Sequence, residues 1–273
     1  MTGATGAIGQ AICRRLVAEG LSVIATCRDM VRGERLASDL RQLAAKDAEV
    51  RIEALQLDDS RSIDDFAQRI VGTASIAALI NNAGTMCRHY GTSNDGFEQT
   101  MAVNYFGTVL LTQLLLPAIA DGGCIVFTTS VTRRLHRLTA NLLHPTESDF
   151  SQLGIYGRSK LALTHYAMHL ADTLRGRLRV NCADPGIVNS GMITMHRWFD
   201  PLANLLFRPL ISSPDRGAES ALQAAASPLT GMIFHHSRCH PIEKELSHDE
   251  AHRQLITATD NVVKNIILMP KDS

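Results

Sequence analysis

The amino-acid sequence predicts one α/β domain built on a doubly wound parallel sheet, and three observations carry that expectation. Short β-branched or apolar runs alternate with longer stretches of helical periodicity along nearly the whole chain. Nothing in the 273 residues marks a linker, an internal repeat or a low-complexity tract, so a single domain is expected over 1–273. A hydrophobic fraction of 45% suffices for a large core covered by helices on both faces.

The chain opens MTGATGAIGQAICRRL, a glycine-rich turn running into a helix expected over 8–19. The apolar run LSVIAT at 21–26 reads as a strand, and the periodic stretch at 32–46 as the next helix. The pair repeats as a strand at 50–56 with a helix at 60–71, and as a strand at 76–81 with a long apolar helix at 96–116. Further strands are expected at 124–129 (CIVFTT), 179–183 (RVNCA) and 231–235 (GMIFH), with helices over 156–174, 213–226 and 247–263. Such alternation implies right-handed crossovers and therefore parallel strands.

A glycine turn of this kind normally follows a buried strand, which aims the turn's N–H groups at a phosphate. Here Met1 and Thr2 precede Gly3 directly, so the first strand is missing from the pattern. In a doubly wound sheet that strand is central. Its loss leaves ladder groups unpaired at roughly 1–3 kcal/mol each, against a net stability of about 5–15 kcal/mol. A chain starting at Met1 is expected to be fragile, and a start placed too late or a shortened chain is the favoured explanation. Two connections exceed what a crossover needs: 131–155, and 187–212 with Trp198, Phe199 and Phe207, the latter expected to close over substrate.

Composition narrows the function classes. Lys plus Arg and Asp plus Glu both number 27, so no global field favours nucleic acid or an anionic membrane. Six scattered cysteines form no CxxC pair, which suits reduced thiols and a cytoplasmic location. His235, His236 and His240 near Cys239 fit no zinc spacing, and no metal is expected. No signal-like stretch opens the chain, the longest apolar run, at 108–120, is too short to span a bilayer, and the short apolar stretch at 201–211 is read as covering a pocket rather than touching a membrane.

Several stretches carry chemistry. Gly3, Gly6 and Gly9, at intervals of three, allow a tight turn and close backbone approach to a diphosphate at a helix N-terminus. Arg28, after the strand at 21–26, stands where a dinucleotide's adenosine ribose should lie. It suits the 2′-phosphate of NADP, the rival reading being NAD with Asp29 on the ribose. Asn82, Ala83 and Gly84 end the strand at 76–81 with small groups that admit a flat ring or ribose, and Ser130 follows the strand at 124–129. Tyr156 and Lys160 lie four apart on one helix face, where an ammonium would favour the phenolate and suit the phenol to acid/base work.

The ordered set of glycine turn, Asp58, NNAG at 81–84, Asn104, Ser130, YGRSK at 156–160 and Asp184-Pro185-Gly186 resembles the short-chain dehydrogenase/reductase family, a Rossmann-type fold, from Thr2 to about His235. The stretch around Arg28, the spacing from Ser130 to Tyr156 and the segment at 213–218 are most similar to its retinol-dehydrogenase-like branch. The resemblance implies an oxidoreductase using NADP, NAD being the lesser alternative, on a medium-sized apolar carbonyl or alcohol. It implies Tyr156 as proton donor or acceptor, Lys160 lowering its pKa and holding the nicotinamide ribose, and Ser130 orienting the reacting oxygen. Asn104 would anchor a water leading from Lys160 to solvent. The cofactor would touch Gly3, Thr5, Gly6, Ile8, Gly9, Arg28, Asn82, Ala83, Gly84, Pro185, Gly186 and Val188, with Asp58 on the adenine amine.

Two positions depart from the family pattern. Ala7 stands where the family's middle glycine is usual, and Asp184 replaces the usual Asn or His, putting a carboxylate near the nicotinamide end. With these departures and the missing strand, the alternative is a catalytically weak or inactive NADP(H)-binding sensor or scaffold. Helices 96–116 and 156–174 resemble those the family uses to form homodimers, and their apolar faces equally suit packing on the sheet.

Overall fold

The structure is a computed structural model that describes residues 1–45, 47–139, 141–186 and 213–268. The expected substrate loop at 187–212, with Val188, Trp198, Phe199 and Phe207, lies outside the described residues.

Strand and helix alternate as the sequence requires. Helix α1 (Ala7–Ala18) starts from Gly6, which has no side chain to cap it. Strand β1 (Val23–Cys27) leads into α2 (Met30–Leu43), whose N-terminus is capped by Asp29 accepting from the Arg32 N–H at 3.1 Å. Strand β2 (Val50–Ala54) leads into α3 (Ser60–Ile70), capped by Asp59, with Ile63, Phe66, Ala67 and Ile70 forming its buried stripe. Strand β3 (Ile76–Asn81) is followed by α4 (Gln99–Ala118), and β4 (Ile119–Thr128) by α5 (Gln152–Thr173). Strand β5 (Arg179–Asp184), helix α6 (Pro214–Ala226), strands β6 (Met232–His235) and β7 (Arg238–Pro241), and helix α7 (Glu250–Leu268) complete the described chain.

The boundaries differ from expectation where local chemistry overrides periodicity. Helix α4 begins at Gln99 rather than 96, because Gly96 takes a positive φ of 82° and the Glu98 carboxylate caps the Met101 N–H at 2.9 Å. It passes through a π-helical turn at Ala102–Phe106. Helix α5 begins at Gln152, four residues before Tyr156, because Ser151 accepts from the Gly154 N–H. Strand β4 starts at Ile119 rather than 124. The long connection at 131–155 holds two short 3₁₀ turns, Val131–Leu135 and Glu147–Asp149.

Strands β3, β4, β5 and β6 pair in parallel in that order, and β7 adds an antiparallel edge to β6. Strands β1 and β2 form a separate parallel pair. Residues Met1 and Thr2 lie between the two parts. The Met1 ammonium donates to the Ile24 carbonyl at 2.7 Å, the Thr26 N–H to the Met1 carbonyl at 2.9 Å, and the Thr2 N–H to the Ile80 carbonyl at 3.0 Å. Beside them an apolar cavity of about 690 Å³ separates β1 from β3, walled by Val23, Ile24, Ile76, Leu79, Leu111 and Leu115 among others.

Helices α4 and α5 turn their apolar faces into the main core, where Tyr105, Leu111, Phe127, Leu163 and Tyr166 are all buried. By length and composition α4 could cross a membrane, a longer apolar helix than the run at 108–120 suggests, but it is 78% buried inside the fold. All six cysteines are free thiols.

Candidate functional site

The site assembles where the glycine turn, β1, β3, β4 and β5 end. Gly3 has φ of 65°, and a Cβ there would lie 2.8 Å from the Ala83 Cα. A Cβ on Gly9 would fall 2.2 Å from the Gly3 carbonyl oxygen, so the turn closes onto α1 only with glycine there. Thr2 Oγ1 accepts from the N–H groups of Asn82 and Ala83 at 3.1 and 3.0 Å, and Asn82 Nδ2 donates to the carbonyls of Thr2 and Gly3. The turn and the NNAG stretch are thereby one unit. The first turn of α1 has no side-chain cap, which leaves N–H groups at the positive end of a helix to meet an anion.

From this unit a cavity of about 330 Å³ extends to Tyr156 and Lys160. Of the expected residues, Gly3, Thr5, Gly6, Ile8, Gly9, Arg28, Asn82, Ala83, Gly84, Tyr156, Lys160 and Pro185 line it. The sequence reading missed Thr26, Cys27, Leu55, Leu57, Thr85, Val103, Thr128 and Arg32 on the same wall. Arg32 reaches from the first turn of α2 to donate to the Thr5 carbonyl at 3.1 Å, while Arg28 precedes the cap of that helix. Asp29 caps α2 through its Oδ1 and is exposed beside Arg28.

At the catalytic end, Ser130 Oγ accepts from the Thr132 N–H at 3.3 Å and from the Thr132 hydroxyl at 3.1 Å, and the same hydroxyl acts on the ionisation of the Tyr156 phenol. Burial pushes that phenol up to about 12, the Ser130 hydroxyl opposes the rise, and the Asp184 carboxylate adds to it. Lys160 is buried, donates to the Thr128 carbonyl at 2.7 Å, and has its Nζ 5.7 Å from the Tyr156 ring centroid. Burial brings the Lys160 ammonium down to about 8, with Cys182 and Asp184 pulling it back up. In the protein alone the expected help from Lys160 therefore does not offset the desolvation of Tyr156.

Asn104 sits in the π turn of α4. Its Oδ1 accepts from the Thr85 N–H at 2.7 Å, while Nδ2 donates to the Thr85 carbonyl at 2.9 Å and to Ser159 Oγ at 3.0 Å. A Cβ on Gly84 would lie 3.4 Å from both Asn104 Oδ1 and Lys160 Nζ, so these polar groups converge beneath that glycine. The Asn104 side chain thereby ties the stretch after β3 to α5.

Asn104, Ser130 and Gly186 stand outside the cavity lining, and so do two acidic residues of the motif set. Asp58 does not line the cavity: its Oδ2 accepts from Gln99 at the start of α4, and only its buried Oδ1 is left without a partner. Asp184 ends β5, next to Pro185 of the cavity wall. It is buried, accepts from the Gly186 N–H at 3.0 Å, and pairs with Arg133 at 2.7 Å. The histidines near Cys239 have other partners, His240 on Glu245 at 2.6 Å and His235 on the Asp184 carbonyl at 3.2 Å. Among the described residues one group gathers three ligand-type atoms, the exposed Asp172, Glu243 and His248, remote in sequence from the site residues.

The family model for short chain dehydrogenases matches residues 1–198. Retinol dehydrogenase 12 of Bos taurus is 34% identical over 244 residues, covering 86% of this chain and 76% of that protein. Polyprenol dehydrogenase of Mus musculus is 32% identical over 239 residues, covering 84% and 71%. The crystal structure of a Shigella flexneri short chain dehydrogenase complexed with NADP superposes with a TM-score of 0.66 at 25% identity, covering 85% of this chain and 93% of that one.

Proposed function

The chain belongs to the short-chain dehydrogenase/reductase family, and from that premise we propose that it moves hydride between NADP(H) and a medium-sized apolar alcohol or carbonyl compound, with Tyr156 as the acid/base. The observation that carries this reading is the cavity that runs without interruption from the glycine turn to Tyr156 and Lys160.

The residues present fit a dinucleotide. A turn that only glycine can close, next to an uncapped helix N-terminus, suits a diphosphate. Arg28 and Arg32, both lining the cavity, suit a 2′-phosphate, and this favours NADP over NAD. Lys160 and Asn82 to Gly84 would hold the nicotinamide half. When bound, that ring supplies the hydride chemistry.

The protein's own groups handle the proton. In reduction the Tyr156 O–H donates to the substrate oxygen as it gains charge, and the Ser130 hydroxyl gives that oxygen a second hydrogen bond. In oxidation the same phenol, once ionised, accepts the alcohol proton. Lys160 places a cation beside the phenol and favours its ionised form. The apolar class of substrate draws support from relatives named for retinol and polyprenol.

Fluorescence titration with NADPH and NADH, followed by a screen of apolar alcohols and carbonyls for NADPH turnover, tests the reading. Tighter binding of NADPH with turnover of part of the panel is expected. Tight binding without any turnover would favour a nucleotide-binding sensor, and failure to bind either nucleotide would end the enzyme reading.

A further inference from the structure

Asp184 is the charged departure from the family pattern next to the reacting groups, and its surroundings show what accompanies it. Burying a carboxylate beside a phenol that must ionise is doubly unfavourable, because the charge is costly to desolvate and it repels the phenolate. The Arg133 side chain, 2% exposed, answers both problems. Its Nη1 donates to Asp184 Oδ2 at 2.7 Å and to the Ser130 carbonyl at 2.7 Å. The rest of the guanidinium forks onto Glu245, Nε to Oε2 at 3.0 Å and Nη2 to Oε1 at 3.1 Å. Glu245 is held in turn by Arg134 and by His240. Burial pushes its carboxyl up, but the Arg134 hydrogen bond and the Arg133 charge prevail and bring it down to about 2.

The cluster thus sets Arg133 and Arg134 against Asp184 and Glu245. We propose that Arg133 is a positioning residue for the reaction at Tyr156: its guanidinium balances the Asp184 charge at the end of β5 and ties that carboxylate to the Ser130 backbone and, through Glu245, to the segment after β7. The proposal rests on the reading of Tyr156 as the acid/base. The groups that bear on Tyr156 are Ser130 from the end of β4, Lys160 from α5 itself and Asp184 from β5. Behind Asp184 stand Arg133 and His235, the latter 3.8 Å from Oδ1. His136, which burial keeps below its ordinary range, packs against Gly157.

A purely structural salt bridge would lower thermal stability when broken and leave the ionisation of Tyr156 alone. A charge-balancing pair predicts shifts of opposite sign. Arg133→Met leaves Asp184 unbalanced, so the acid limb of alcohol oxidation moves up by about one pH unit. Asp184→Asn leaves Arg133 in excess, so the limb moves down, and the double variant returns towards the wild-type value. The same ionisation is read without turnover by titrating phenolate absorbance with NADP⁺ present and subtracting the matching Tyr156→Phe protein. If Arg133→Met does not fold, Asp184→Asn carries the test with its own sign. Limbs and phenolate titrations that stay put in the variants, with only the melting temperature lowered, would overturn the proposal. Full turnover by Tyr156→Phe would instead overturn the acid/base reading on which it rests.

Discussion

Burial holds the Tyr156 phenol near 12, so in the protein alone it is protonated throughout the neutral range, the form that donates to a carbonyl oxygen. Alcohol oxidation needs the other form, so its rate is expected to climb with pH through the neutral range while carbonyl reduction stays level; paired pH–rate profiles check this. At the nucleotide end, Arg28→Ala and Arg32→Ala are each expected to weaken NADPH on the order of tenfold and leave NADH nearly unchanged. Equal losses for both nucleotides in the titrations would remove the cofactor assignment. Tyr156, Lys160 and Arg28 were legible in the sequence because each sits at a fixed offset from a strand or a neighbour on its helix. Arg133 was not, since its carboxylate partner Glu245 lies 112 residues away and only folding brings them together.

Among the elements, the strands of the parallel sheet and the helices between them were legible because their apolar periods are strong. Strand β7 was not, because RCHP is short, polar and ends in proline, and its pairing with β6 supplies what its own residues do not. The start of α5 was hidden by Ser151, a cap outside the apolar pattern. Two elements carry predictions. Gly9→Ala places a methyl against the Gly3 carbonyl, so NADPH affinity should fall steeply along with stability, measured by titration and melting. Asp29→Ala removes the α2 cap and should cost about 1 kcal/mol in chemical denaturation. The preference for NADPH over NADH should survive it, whereas a switch in preference would show that Asp29 binds the ribose.

On the scale of the molecule, the glycine turn, the strand ends and α5 converge on one cavity, and charges away from it set the stability of the fold with pH. The buried pair His165 and His252, 3.1 Å apart, is held neutral; burial brings His165 down to about 4, with His252 adding to the shift. The unfolded chain binds that proton more readily, so stability is lost as pH falls from about 6.5 towards 4. Glu245, lowered to about 2, adds stability above its ordinary range that is lost between roughly pH 4.5 and 2. Melting temperature followed from pH 7 to 4 should fall, and His165→Asn should flatten that slope. The molecule's central claim is that Tyr156 moves the proton while the glycine turn and its neighbours hold the dinucleotide. Its most direct measurement is turnover and NADPH binding in Tyr156→Phe. Binding within about twofold of wild type with turnover reduced at least a hundredfold is the predicted result, and turnover equal to wild type would contradict it.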